Sequence, residues 1–148
     1  MYDLLLFLHV LGVLGFAAGH GVSAAVSLRL GRERDHARLG ALLDLSRSTL
    51  LLSNLSLLLI VITGIWLWAR FDYAPQGWLW VSLAILVLLA AAGFGLAAPY
   101  FRRIRSALAN GDEERLRTAL DAPLPWVILV IETAGLVAIV WLMISKPF

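Results

Sequence analysis

Cysteine is absent from this 148-residue chain. That excludes disulfides, thiolate metal sites and cysteine nucleophiles, and it leaves the redox compartment undetermined. Charge is scarce as well. Asp, Glu, Lys and Arg make up 15% of residues, where soluble domains carry about a quarter. The formal net charge of +2 is small. The basic isoelectric point therefore reflects a slight arginine excess, and no nucleic-acid partner is expected. Strand-like alternation, internal repeats and low-complexity segments are also missing. Nothing in the sequence resembles a hydrolase nucleophile site or a phosphate-cradling loop, and whether the chain is an enzyme stays open.

What fills the chain is apolar: 61% of residues are hydrophobic. They fall into four runs, at about 4–28, 48–69, 77–100 and 124–145. Each exceeds 20 residues, the length a helix needs to cross a hydrocarbon core roughly 30 Å thick. Three of the runs contain no Asp, Glu, Lys or Arg; the fourth holds only Glu132. The first run lacks a basic leader and is too long for a signal-peptide core. The expected architecture is a single all-α domain over 1–148, an integral membrane four-helix bundle.

Arginine sets the expected orientation. Arg29, Arg32, Arg34, Arg38 and Arg47 follow the first run, and Arg102, Arg103, Arg105, Arg115 and Arg117 follow the third. The other ends carry only Arg70 and Lys146. The positive-inside rule then places both long connections in the cytoplasm and both termini outside. Trp66, Trp68, Trp78, Trp80 and Trp141 fall near the outer ends, and Trp126 near the inner end. Short amphipathic helices are expected in the cytoplasmic connections. Asn110-Gly111 reads as a helix stop and Asp112 as the cap of a new segment. That segment carries Leu116 and Leu120 as an apolar stripe and a Glu113–Arg117 pair at i,i+4. Pro123 and Pro125 suit the start of the last helix.

Polar residues inside the apolar runs carry the functional reading, because ionisable groups are costly in lipid and face the bundle interior. They are His9 and His20 in the first run, Asn54 in the second, and Glu132 in the fourth, to which Met143 is added as a soft donor. His9 and His20 are eleven positions apart, about three helical turns, and share one face at roughly 16 Å separation. Phe16, Ser23 and Ser27 lie on that face too. Glu132 and Met143 repeat the spacing. The first and fourth helices run in opposite directions, so His20 and Glu132 each lie eight residues from an inner end. This predicts two polar rungs, His20 with Glu132 and His9 with Met143, with Asn54 near the first. Gly12, Gly15 and Gly19 allow close helix approach, within the bundle or across a dimer. Thr49, Ser53 and Ser56 form a hydroxyl stripe expected to bond neighbouring helices.

The stretch Leu8-His9-Val10, Gly12 and Gly15-Phe16-Ala17-Ala18-Gly19 resembles the first helix of the CopD-like superfamily of small bacterial membrane proteins. The tail Met143-Ile144-Ser145-Lys146-Pro147-Phe148 is similar to how several members end. That group includes copper-resistance proteins, haem-binding protoporphyrinogen oxidases of the HemJ type, and four-helix proteins of unknown function, which this chain fits best. The resemblance implies the bacterial inner membrane and makes His9 the haem-ligand position. The oxidase branch has a lysine after Gly-Trp-Leu in the third helix and a Pro-Arg-Leu motif after the first. Here Ser82 follows Gly77-Trp78-Leu79-Trp80-Val81, and Ser27-Leu28-Arg29-Leu30 stands in place of the second motif.

Two function classes follow. One is a haem b or copper-binding redox protein, with His9 as ligand and His20, Met143 or a histidine of a second chain completing the site. The other is a small proton- or ion-coupled transporter, channel or accessory subunit using His20, Glu132 and Asn54. A scaffold within a larger membrane complex is a third, plainer option. Lipid and a homodimeric or complex partner are the expected contacts.

Overall fold

The computed structural model of the protein describes residues 1–71 and 76–147; the expected outer turn therefore lies largely outside the described residues. Six α-helices account for nearly all of it: α1 (Tyr2–Leu30), α2 (His36–Phe71), α3 (Gly77–Ala92), α4 (Ala98–Asn110), α5 (Glu113–Leu120) and α6 (Leu124–Ser145). A π-helical turn, Gly93–Ala97, joins α3 to α4 without interrupting the rod. Among the described residues there is no strand. Four helical stretches are long and apolar enough to cross a membrane.

α1, α2 and the continuous α3–α4 rod outrun their apolar runs, whereas α6 matches its own. The largest difference is at α2. It starts at His36, three turns before the apolar run, where a separate surface helix was expected. The cause is a local cap and a local core. The Asp35 carboxylate accepts from the Arg38 backbone N–H at 3.0 Å. One and two turns on, Leu39 and Leu43 are almost fully buried. With the helix end satisfied and its first turns packed, α2 continues straight into the span.

α1 and α2 form an antiparallel hairpin packed along its whole length. Ser46, Thr49, Ser53, Ser56, Ile60, Thr63 and Leu67 recur along α2 at alternating three- and four-residue steps, all buried but the half-buried Ser53. This seven-residue repeat is the seam of a left-handed helix pair. Glycines face it. A Cβ at Gly12 would lie 3.2 Å from the Ser56 carbonyl oxygen and 3.3 Å from the Ile60 nitrogen, while one at Gly15 or Gly19 would collide with the Ser56 or Ser53 hydroxyl. The Gly-x-x-x-Gly of α1 is thus used inside the chain.

The second pair is α3 with α6, where a Cβ at Gly135 would strike the Leu89 side chain. α1 also touches α6. At one end of the bundle, Trp68 and Trp80 meet edge to face at 6.2 Å. There the Lys146 ammonium sits 5.8 Å from the Trp78 ring.

The most completely buried side chains lie at the opposite end. Leu30, Leu39, Leu43, Tyr100, Ile104, Leu116 and Leu120 form a compact apolar cluster. It is built from the end of α1, the start of α2, and α4 with α5. Both arginine-rich connections therefore lie at the same end. Gly111 adopts a left-handed conformation (φ 64°) and ends α4. Asp112 caps α5, accepting from the Arg115 N–H at 3.1 Å. Glu113 does not pair with Arg117. Its carboxylate instead lies 3.1 Å from Nε2 of His36 at the start of α2, and Arg34 reaches Asp121 at 3.1 Å. Both contacts tie the hairpin to α5 across the surface.

Candidate functional site: an intramembrane histidine–glutamate pair

Of the side chains in the four spans that are more polar than a hydroxyl, two meet. Nδ1 of His20 on α1 lies 2.9 Å from Oε2 of Glu132 on α6. Opposite helix directions and equal distance from the arginine-rich end put them at one depth, and the contact of α1 with α6 brings them face to face. Both are half-buried, at 26% and 13% side-chain exposure. The Phe16 ring stands edge to face against the imidazole, centroids 4.3 Å apart. It fills one turn below His20 and leaves the Nδ1 edge free for the carboxylate. One turn further on, Ser23 and Thr49 hydroxyls lie 3.4 Å apart, and Ser27 donates to the Ser23 carbonyl at 2.8 Å.

The chemistry of such a pair is proton bookkeeping. With Glu132 protonated, its O–H donates to Nδ1. With the proton moved across, an imidazolium donates to a carboxylate. The pair is net neutral in both arrangements. Removing that proton, or adding another, places a net charge among apolar side chains, the costly step in a membrane.

His9 takes a different partner from the one expected. It is buried, and its Nδ1 lies 3.0 Å from Oγ1 of Thr63 on α2. Thr63 in turn donates its hydroxyl proton to the Leu59 carbonyl at 2.6 Å. With that hydroxyl proton committed, the arrangement that completes the bond has Nδ1–H donating to Thr63. The ring rests against Gly64, where a Cβ would come within 3.3 Å of Cε1. Met143 is half-buried on α6, while His9's partners are all on α2, so the expected His9–Met143 rung does not form. The reason is that His9 lies on the α1 face pressed against the small-residue seam of α2. Thr63 and Gly64 lie about two turns beyond the Thr49–Ser53–Ser56 stripe on the same side, and that extension was the available signal for them.

Asn54 is also displaced from its expected place. It is exposed on α2, facing away from α1, and has no hydrogen-bond partner among the described residues. It shares the depth of the pair, since Gly19 beside His20 packs on Ser53, but it lies on another face. Tyr100 was not singled out by its sequence. It is buried in the apolar cluster at the arginine-rich end, and its hydroxyl finds no partner among the described residues.

The candidate donors His9, His20 and Met143 do not converge. His9 and His20 are three turns apart on one helix, and His20 is engaged by Glu132. Among the described residues, no three His, Cys, Asp or Glu side chains gather as a metal site would require. Among the described residues, His9, His20 and Met143 thus offer no joined ligand set for a haem or a copper ion.

No curated protein and no solved structure matches the chain. A family model does match, over residues 3–147, nearly the whole length, and the chain accordingly belongs to the family described as predicted integral membrane protein (DUF2269).

Proposed function

We propose that this protein handles protons in the membrane, as a small proton-coupled carrier or proton-responsive subunit, through His20 and Glu132. The observation that carries this reading is the 2.9 Å contact between them. A carboxylic acid inside an apolar span is retained against a cost of about 2.5 kcal/mol or more. A histidine at hydrogen-bond distance gives it a proton donor and acceptor in one group. In this reading Glu132 binds and releases the proton, His20 exchanges it across Nδ1, and Phe16 holds the imidazole in register. The arginine-rich end lies in the cytoplasm of a bacterial inner membrane, as the positive-inside rule requires, and both termini lie outside.

The test is proton flux in phosphatidylethanolamine–phosphatidylglycerol vesicles loaded with a pH-sensitive dye and energised by a potassium gradient with valinomycin. Flux above protein-free vesicles is expected, and it is lost in Glu132→Gln and strongly reduced in His20→Gln. Flux that is equal in wild type and Glu132→Gln contradicts the proposal.

A second reading, a haem b or copper protein, rests on His9. Its Nδ1 is held by Thr63, the kind of outer-shell hydrogen bond that orients a ligand imidazole. A Soret band in the purified protein that disappears in His9→Ala supports it; a colourless, copper-free protein removes it.

A further inference from the structure

Four side chains in the spans are more polar than a hydroxyl: His9, His20, Asn54 and Glu132. Three have partners, and Asn54 has none among the described residues. Its place in α2 makes that informative. It lies six residues past Ser48, about 9 Å into the apolar run. A carboxamide exposed there faces hydrocarbon, where an unpaired amide costs several kcal/mol. Its neighbours on that face form a second regular stripe. Leu51, Asn54, Leu58, Val61 and Ile65 recur at alternating three- and four-residue steps. All five are exposed, and Leu51, Leu58 and Ile65 are more than half exposed. α2 thus carries two seven-residue stripes, one closed on α1 and one open.

We propose that the open stripe is the interface between two copies of this chain, parallel and related by a two-fold axis along the membrane normal. At its core, Asn54 hydrogen-bonds to the partner subunit's Asn54. The chemistry selects a second copy. A carboxamide has both donors and an acceptor, so two of them satisfy each other reciprocally. A two-fold axis along the membrane normal places identical side chains at identical depth without further matching. The seven-residue spacing is the one that two helices need to keep a common seam. The alternative dimer surface, the Gly-x-x-x-Gly of α1, is already occupied by α2. The proposal is independent of the proton-handling reading, since the stripe faces away from α1 and the His20–Glu132 pair joins α1 to α6.

The absence of native cysteine makes the test direct. Leu58→Cys is placed in the otherwise unchanged chain, reconstituted at low protein-to-lipid ratio in phosphatidylethanolamine–phosphatidylglycerol vesicles, and oxidised with copper phenanthroline. Val87→Cys, on the exposed face of α3, is the collision control. A disulfide-linked dimer is expected for Leu58→Cys well above that control. Adding Asn54→Leu should lower its yield roughly three- to tenfold, the range of interhelical polar contacts in membranes, while Asn54→Gln should largely keep it. Asn54→Leu removes no hydrogen bond among the described residues, so its helix content should be unchanged. Energy transfer between dye-labelled wild-type copies, diluted with lipid, gives the same answer without mutation. A Leu58→Cys yield no higher than the control, as pairing with a different membrane protein would give, overturns the proposal. So does a yield indifferent to Asn54→Leu.

Discussion

Single side chains in this protein differ sharply in what their loss should do, and the differences follow from their partners. His20 and Glu132 are coupled, so their effects on stability should not add. A double-mutant cycle with His20→Gln and Glu132→Gln, read by unfolding in mixed detergent, should give an interaction energy of about 0.6–2 kcal/mol. Two additive losses would mean the contact carries no energy. Tyr100 behaves in the opposite way. Its hydroxyl is buried without a partner among the described residues, so Tyr100→Phe removes only a desolvated polar atom. Stability should hold or rise by up to about 1 kcal/mol in the same assay; a loss of that size would reveal a bond this account lacks. Glycines divide in the same manner. A Cβ at Gly12 meets α2 backbone, which cannot move aside, whereas Gly21 has nothing within 4 Å. Gly12→Val should cost at least 2 kcal/mol, as overpacking about 1–3 kcal/mol and lost seam contact add, and Gly21→Ala should be tolerated.

At the scale of elements, the chain shows where sequence reasoning carries and where it stops. The four spans, the Gly111 stop, the Asp112 cap and the depth match of His20 with Glu132 were all legible. Each depends on local chemistry or on counting along a helix. Partner choice across helices was not. Counting placed His9 and Met143 near the same level, yet it is silent on which helix a given face meets. His9 turned to Thr63 because the glycine face of α1 is shared with it, and α2 closes on that face. Asn54 was assigned to the interior by its polarity, whereas the buried stripe of α2 runs through Ser53 and Ser56 on the other side. The early start of α2 was hidden because Leu39 and Leu43 sit among arginines that lower the apolar signal. Their burial comes from α4 and α5, far along the sequence. The turn before α2 gives an acid-sensitive prediction. Backbone N–H groups of Asp35 and Arg34 hold the Glu33 carboxyl below its ordinary range, and that of Arg38 does the same for Asp35. A depressed carboxyl stabilises the fold above the ordinary carboxylate range and loses that contribution as pH falls through its lowered value. Amide hydrogen exchange at residues 33–38 should therefore quicken in acid, ahead of the α1–α2 seam; uniform exchange across both would count against the capped turn.

For the whole molecule, the two ends are built differently. One has tryptophans at its rim. The other has a compact apolar cluster beneath ten arginines, with ion pairs between exposed groups that add little stability. This end would resist unfolding even without lipid, while the spans between have mostly exposed apolar faces that only a bilayer can cover. Cysteine scanning tests the proposed orientation: Ser106→Cys and Ser145→Cys in right-side-out cells should differ, with only Ser145→Cys reached by a membrane-impermeant maleimide. The reverse pattern would invert the topology. The central claim, that the bundle brings a histidine and a carboxyl to share a proton inside the membrane, is tested most directly by infrared difference spectroscopy of the reconstituted protein across a pH step. The account predicts a carboxyl C=O band that changes with pH, is absent in Glu132→Gln and is shifted in His20→Gln. A difference spectrum identical in wild type and Glu132→Gln would contradict it.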